Sequence, residues 1–149
     1  MLKVIVEATK GQTKRFEKKN NPNQLELLTD KEPKWLANYG FIADTLQADG
    51  DELDAFILGD PIDVGETVEA KPVAMILFND EGKTDNKLVC TTKPYNRILL
   101  FITLLRLVWR IKRTKNKAKV IGVTKDQAKI EHEVMLAQAL HKVLKGGSK

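Results

Sequence analysis

The spacing of apolar residues changes once along the chain, near Tyr95, and this change constrains the fold more than any other feature. Before it, apolar runs are short and end at turn signals such as Gly59-Asp60-Pro61, which is typical of strands. After it, apolar residues recur at helical spacing from Ile98 to Val108 and from Ala128 to Leu144, with a short strand at 118–123 between them. The sequence therefore predicts several antiparallel strands followed by two helices.

This order of elements favours an α+β fold in which a small closed β-barrel packs against two C-terminal helices, within a single domain spanning residues 1–149. We expect Phe41–Leu46 and Leu53–Leu58 to form a hairpin across a polar turn. The segment Thr124–Gln127 has the spacing of a capping box, with Thr124 as the cap of the last helix. The stretch Ile98–Leu105 is expected to be a core element of the first helix or to face a partner subunit.

Composition excludes several classes of protein. The chain has 149 residues, of which 42% are hydrophobic and 30% charged, as in an ordinary globular domain. Its longest apolar stretch, Ile98–Leu105, is far shorter than the roughly 20 residues of a membrane span, and the N-terminus does not resemble a secretory signal. The one cysteine, Cys90, has no partner within the chain for a disulfide. We expect a cytoplasmic protein without a membrane partner.

Charge is unevenly distributed along the chain. Seventeen of the twenty acidic residues lie at or before Asp85, and none lies between Asp85 and Asp126, where Lys and Arg are frequent. Such a split is compatible with a nucleic acid or another polyanion as partner. It is equally compatible with acidic and basic parts that fold together around cations and a phosphate, and the charge pattern alone does not decide between these.

The run Asp49-Gly50-Asp51-Glu52-Leu53-Asp54 is the main candidate for chemistry. For an isolated Asp-Gly-Asp turn, a solvated acidic loop is the more frequent explanation. Strand alternation, however, places Asp54 on the same face as Phe56, where an unpaired carboxylate would be costly. A calcium-binding EF-hand loop is excluded because its required Gly and Glu positions fall on Asp54 and Asp60.

A second acidic turn, Asp80–Lys87, supports a metal site. Carboxylates from the two turns would give the all-oxygen environment that hard cations such as Mg2+ prefer. Lys87 lies two residues after Asp85, on the same predicted strand face, and would reach an anion bound to that metal.

With these motifs in order, the sequence resembles the soluble family I inorganic pyrophosphatases. Asp49–Asp54 matches the Asp-Gly-Asp-(Pro or Glu)-apolar-Asp signature, and Asn38–Ile42 resembles the Asn-Tyr-Gly-Tyr-Ile segment that precedes it. Asp80 and Asp85-x-Lys87 match the later acidic and lysine motif. The strand that ends in Glu7 and the segment Lys14–Glu17 are similar to the family's opening positions. The resemblance implies a five-stranded, OB-like barrel with two helices.

The resemblance also implies a reaction, hydrolysis of inorganic diphosphate by a water activated by several Mg2+ ions, with Mn2+ or other divalent cations as substitutes. The implied metal ligands are four carboxylates, Asp49, Asp54, Asp80 and Asp85. Asp51 would orient or deprotonate the water, and Glu7 and Glu17 would support the site. The implied substrate-binding residues are Arg15, Lys31, Tyr39, Lys87 and Arg110. Members of the family commonly assemble into hexamers, so a homo-oligomer is expected.

Departures from the family lie on the phosphate-binding side. Lys31 takes the place of an Arg, Trp35 that of a Tyr, and Trp109-Arg110 that of a Tyr-Lys pair. Lys lacks the bidentate fork of Arg, and Trp offers only an indole N–H. These departures leave open a non-catalytic descendant that binds metal and phosphate. A small barrel that binds nucleic acid through the basic C-terminal third, with Trp109 stacked on a base, is the third and weaker reading.

Overall fold

A computed structural model describes residues 1–18, 24–114 and 118–146. Within these ranges the strands are β1 (Leu2–Ala8), β2 (Arg15–Lys18), β3 (Leu25–Thr29), β4 (Asn38–Ile42), β5 (Asp54–Leu58), β6 (Thr67–Asp80), β7 (Lys83–Thr84), β8 (Lys87–Thr91) and β9 (Ala118–Thr124). The helices are α1 (Arg97–Thr114) and α2 (Gln127–Gly146). The predicted order of strands followed by helices, with β9 between the helices, is confirmed.

Five of the strands form a closed ring. The pairing runs β1-β4-β5-β8-β6, and β6 pairs again with β1, so that the ring closes. β7 and β9 extend it along β6, while β2 and β3 form a separate two-stranded sheet. The predicted α+β class and the five-stranded closed arrangement agree with this topology.

One strand pair differs from the antiparallel expectation. β5 and β8 are parallel, in a register that places Asp54 opposite Lys87. Two strands that are far apart in sequence can run parallel here because the long strand β6 lies between them in the chain and returns it to the same end of the sheet. Apolar spacing within single strands carries no information about this pairing.

The two faces of the sheet support two apolar clusters. β5 contributes to both by alternation, with Ala55 and Ile57 in the cluster under α2, and Phe56 in the cluster under α1. Ile130 and Val134 of α2 are buried in the first cluster. Each helix thus covers one face of the sheet, and the face under α1 is the one that carries Asp54.

The buried side of α1 differs from the prediction. The helix buries Leu100, Leu104, Leu107 and Ile111, which are spaced at three or four residues. Four residues at the predicted helical spacing are instead exposed, each by at least 46%: Ile98, Phe101, Ile102 and Leu105. Within the stretch Ile98–Leu105, Leu100 and Leu104 are the core residues, so the expectation of a core element holds for part of it. Both sides of this helix are apolar, and spacing alone did not distinguish them.

Two local predictions also need correction. β4 ends at Ile42, so the hairpin that joins β4 and β5 has a long connection, residues 43–53, held by the Thr45 hydroxyl. At the start of α2, the carboxylate of Asp126 accepts from the amide of Ala128 at 3.0 Å, so Asp126 is the cap. Thr124 instead accepts from the amide of Asp126 one step earlier. Among the described residues, neither helix is long and apolar enough to cross a bilayer.

Candidate active site

Strand pairing brings a carboxylate, an amine and a phenol together on the face under α1. The parallel register sets Asp54 beside Lys87, and the antiparallel pairing of β4 with β5 sets Tyr39 opposite Phe56. Tyr39 therefore projects from the same face as Asp54, two residues further along the strand pair. No loop is involved in this placement, because all three residues lie within strands.

The Lys87 ammonium is the centre of this group. It is almost fully buried and donates to Asp54 Oδ2 at 2.9 Å, to the Tyr39 hydroxyl oxygen at 3.1 Å and to Asp85 Oδ2 at 3.4 Å. The Tyr39 hydroxyl in turn donates to Asp54 Oδ2 at 2.6 Å. Burial alone would lower the pKa of Lys87, but Tyr39 and the two carboxylates outweigh it and hold the pKa above its ordinary value. Lys87 is therefore a fixed positive charge.

Glu7, near the end of β1, is a second buried carboxyl at this place. Burial raises the pKa of Glu7 to about 8, and the charge of Asp54 adds to the rise, while Arg15 opposes it. Any positive charge added near Glu7 would therefore stabilise its ionised form and lower its pKa. The charges of Glu17, on β2, and Glu52 also contribute to the rise, which places both acidic residues in the same electrostatic neighbourhood.

The backbone of the Asp49–Asp54 turn is held by one side-chain hydrogen bond and by one glycine. Asp49 Oδ1 accepts from the amide of Asp51 at 3.0 Å, and Gly50 adopts a positive φ of 91°, which a side chain would strain. Asp51 is exposed, and partial desolvation followed by the charges of Asp49 and Asp54 raises its pKa. We refer to Glu7, Asp51, Asp54 and Asp85 as the acidic cluster.

The second acidic turn is described only in part. Asp85 is half-buried and contacts Lys87, and its amide donates to the carbonyl of Phe78 at 3.0 Å. The backbone of Asp80 ends β6 in register with Lys83, but its side chain lies outside what the structure describes. The predicted role of Asp80 as a metal ligand therefore stays a prediction.

Next to the acidic cluster lies a cavity of about 230 Å³. One acidic residue, Glu32, and four cationic residues line it: Arg15, Lys34, Lys87 and Arg110. The aromatic lining is formed by Trp35, Tyr39 and Phe56, and the apolar wall includes Leu107 and Ile111 of α1. Arg110 Nη1 donates to the carbonyl oxygen of Lys34 at 3.0 Å. Because cationic residues outnumber the acidic one, the cavity suits an anion.

Two residues at positions of family departure lie away from this cavity. Lys31 is exposed, does not line the cavity, and has a backbone amide that donates to Thr29 Oγ1 at 3.1 Å. Trp109 is also exposed, and the Arg113 guanidinium lies 4.8 Å from its ring centroid. The substrate-binding role of Lys31 thus stays a prediction, and the structure places it apart from Arg15, Tyr39, Lys87 and Arg110.

The donor set suits a hard divalent cation. All candidate ligands are carboxylate oxygens, and Asp54 and Asp85 already share one cationic partner, Lys87. Among the described side chains, however, no three Asp, Glu, His or Cys residues converge closely enough to enclose a metal by themselves. A cation that keeps several waters and binds through one or two carboxylates and a phosphate, as Mg2+ does, fits this arrangement.

Two residues of the Asn-Tyr-Gly segment have structural tasks that sequence reasoning missed. The fully buried Asn38 amide accepts from the backbone of Lys10 and Ile62 at 3.0 and 2.9 Å and donates to the Asp60 carbonyl at 2.8 Å. A Cβ at Gly40 would lie 2.0 Å from the carbonyl oxygen of Ile5, so only glycine fits. These two residues hold Tyr39 in place, although neither touches the cavity.

The comparison with protein families settles the relationship. The family model described as inorganic pyrophosphatase matches residues 4–104, which include the acidic cluster, the Asn-Tyr-Gly segment and Lys87. The chain belongs to the inorganic pyrophosphatase family. Members of this family generally depend on divalent metal ions, in agreement with the all-oxygen donor set. The resemblance drawn from the motifs is therefore confirmed.

Individual pyrophosphatases match in part. The inorganic pyrophosphatase of Haemophilus influenzae is 46% identical over 54 residues, which are 36% of this chain and 31% of that protein. The soluble inorganic pyrophosphatase of barley, Hordeum vulgare, is 31% identical over 130 residues, 80% of this chain and 60% of its own length. The matches thus span from about a third to three fifths of these relatives.

Solved pyrophosphatase structures share the fold. An inorganic pyrophosphatase from Neisseria gonorrhoeae superposes with a TM-score of 0.79 at 21% identity, over 94% of this chain and 90% of that one. The pyrophosphatase from Coxiella burnetii gives a TM-score of 0.78 at 23% identity, with 94% of both chains covered. The ring of strands with two helices is thus the pyrophosphatase fold, retained at low identity.

Proposed function

We propose that this chain hydrolyses inorganic diphosphate to two phosphates, as a Mg2+-dependent inorganic diphosphatase. The observation that carries the proposal is the direct contact between the acidic cluster and the cationic cavity through Lys87, which faces both. Carboxylates on one side suit cations, and guanidinium and ammonium groups on the other suit phosphoryl oxygens. A substrate that brings metal and phosphate together matches both sides at once.

We assign the cation to the acidic side of this arrangement. Asp49, Asp54, Asp80 and Asp85 are the proposed ligands of several Mg2+ ions, which Mn2+ or another divalent cation would replace, with Glu7 and Glu17 in support. When bound, such ions neutralise the phosphate charges and lower the pKa of an attacking water. We assign Asp51, an exposed carboxylate whose pKa is raised by desolvation and by Asp49 and Asp54, as the group that accepts the proton of that water.

The cationic side positions the substrate. Arg15, Lys87 and Arg110 are the proposed contacts to phosphoryl oxygens, where they would stabilise the negative charge that develops in the transition state. The phenol of Tyr39 is held neutral, because burial raises its pKa, and its hydroxyl links Asp54 to Lys87. Since phosphoryl transfer needs mainly positioning and charge stabilisation, the site does not require a Ser or Cys nucleophile.

We further propose one pyrophosphatase domain over residues 1–149, a cytoplasmic location and a homo-oligomeric assembly, with the hexamer expected from the family resemblance. The exposed apolar side of α1, residues 98–105, supports self-association, because isolated domains rarely expose so many large apolar side chains together. Nucleic acid is not a proposed partner, since two of the basic side chains on α1 are engaged, Arg110 with Lys34 and Arg113 with Trp109.

The decisive experiment measures phosphate release from diphosphate with and without Mg2+, for the native chain and for Asp51→Asn. We expect turnover that requires the metal and that the substitution lowers by about a hundredfold or more. Asp63→Asn, an exposed carboxylate in another turn, is the matched control and should leave the rate within about twofold. No release by the native chain at saturating Mg2+ would leave only a metal- and phosphate-binding module.

A further inference from the structure

Trp35 occupies a fixed place in the wall of the cavity. Its backbone amide donates to the carbonyl of Gln12 at 3.0 Å, and its carbonyl accepts from the amide of Gly11 at 2.8 Å. Its ring stacks on Tyr39, with 5.1 Å between the ring centroids and 22° between the planes. The indole is thus held by the backbone on one side and by a buried phenol on the other.

The indole nitrogen of Trp35 is a donor without an acceptor. Nε1 is buried and makes no hydrogen bond to any described residue. A buried donor that is left unpaired costs about 1–3 kcal/mol, and most proteins avoid it. An indole N–H can only donate, so the group that satisfies it must bring an oxygen or another acceptor.

A second unpaired donor lies close by. Nε of Arg15 is also buried and without a hydrogen-bond partner in the described part of the chain. The Arg15 guanidinium lies 5.4 Å from the ring centroid of Tyr39, the same ring on which Trp35 stacks. Both side chains line the cavity that Lys87 and Arg110 also line. Two orphaned donors and several cations around one cavity share a single requirement, an anion with several acceptor oxygens.

We propose that Trp35 is a substrate-binding residue, whose indole N–H donates to a phosphoryl oxygen of the anion that Arg15 binds through Nε–H. This inference rests on the proposed function, since it names a residue of that same site. Because both nitrogens are shielded from bulk water, hydrogen bonds to a charged oxygen form here in a low-dielectric environment and are strong. Position 35, where the family has a Tyr, thus keeps a hydrogen-bond donor, but this donor is an indole N–H and not a hydroxyl.

Trp35→Phe isolates this role, because it keeps an aromatic ring against Tyr39 and removes only the N–H donor and the second ring. A hydrogen bond to a charged group contributes about 1.5–3 kcal/mol, so the KM for diphosphate should rise roughly 10- to 100-fold. The value of kcat should change much less, since the contact holds ground state and transition state alike. Trp109→Phe, which removes the exposed indole outside the cavity, is the matched control.

A second measurement needs no turnover. The chain has two tryptophans, so Trp109→Phe leaves Trp35 as the only indole, and its fluorescence reports on its surroundings. Titration with inorganic phosphate should change this emission in a saturable way, and calorimetry should show Trp35→Phe binding phosphate 10- to 100-fold more weakly. The fluorescence titration tests the inference even if the native chain does not hydrolyse diphosphate. It also does so if Trp35→Phe does not fold, because it uses the Trp109→Phe chain.

The opposite results would overturn the inference. A folded Trp35→Phe chain with unchanged KM and unchanged phosphate affinity would show that the indole only packs against Tyr39. Trp35 emission that does not respond to phosphate, while calorimetry detects binding, would place the anion elsewhere in the chain.

Discussion

The acidic cluster and the cationic cavity are built in different ways, although they share Lys87. In the acidic cluster, strand register sets the positions, and Asp54, Asp85 and Tyr39 are joined to Lys87 by direct hydrogen bonds. In the cavity, side chains are held by ring stacking and backbone contacts, and two buried donors have no hydrogen-bond partner among the residues that the structure describes. In the acidic cluster Lys87 already pairs with Asp54 and Asp85, whereas the buried donors of the cavity require a ligand to satisfy them.

This difference indicates which half tolerates change. A carboxylate in the acidic cluster has several neighbours that depend on its charge, so its loss affects all of them. A residue of the cavity contributes a contact to the ligand and leaves its neighbours much as they were. We therefore expect substitutions in the acidic cluster to affect rate and stability together, and substitutions in the cavity to affect affinity.

The largest effect is expected from Asp54→Asn. The substitution removes the negative charge that accepts from both Tyr39 and Lys87, and with it a proposed metal ligand. Phosphate release should fall by about 100- to 1000-fold. Asp60→Asn, whose carboxylate makes an exposed ion pair with Lys93, should change the rate little. Equal losses in both variants would remove the distinction between the acidic cluster and the rest of the surface.

Lys87→Met tests the coupling of charge and stability. It removes the buried ammonium that pairs with both Asp54 and Asp85. The free energy of unfolding should fall by about 3 kcal/mol, as measured by urea denaturation. Added Mg2+ should stabilise this variant more than the native chain, because a cation then replaces the missing charge. A variant as stable as the native chain would show that strand pairing alone holds the carboxylates.

Tyr39→Phe lies on the border of the two halves and is expected to have an intermediate effect. It keeps the stack with Trp35 and the edge contact with Phe56 and removes only the hydroxyl between Asp54 and Lys87. We expect a loss of about 1–2 kcal/mol in stability and roughly tenfold in kcat/KM. A change confined to KM would assign Tyr39 to the cavity alone.

The smallest effect is expected from Lys31→Ala. Lys31 is exposed and outside the cavity lining, so kcat and KM should stay within about threefold of the native values. Arg110→Ala, which removes a lining cation, is the comparison and should raise KM for diphosphate about tenfold. A larger effect at Lys31 than at Arg110 would mean that the 29–34 segment moves over the substrate.

The sequence predicted the parts of the fold that depend on local pattern. Short apolar runs with turn signals indicated the strands, and alternation correctly set Asp54 on the face of Phe56. Pairing between distant strands was not predictable in this way. The parallel contact of β5 with β8 depends on how β6 crosses the sheet, and a single strand does not encode its neighbour.

The helix α1 shows why periodicity failed in one place. Residues 98–111 are apolar on two sides, so two helical stripes fit equally well, and only the packing against Phe56 and Val89 selects Leu100 and Leu104. Leu107 and Ile111 were not identified as cavity-lining residues for the same reason, whereas the family resemblance had already assigned Arg110 to substrate binding. The unpaired indole of Trp35 has no signal in the sequence at all, because hydrogen-bond satisfaction exists only in three dimensions.

Gly40 sets a limit on how this segment is able to diversify. At the neighbouring positions Tyr39 and Phe41, another aromatic side chain would fill part of the same space. At position 40, by contrast, the carbonyl of Ile5 occupies the space of any Cβ. In a library of all single substitutions, every variant at Gly40 should therefore be depleted before any test of catalysis, including alanine, the smallest. The strictest requirement in this stretch comes from a position that carries no reactive group.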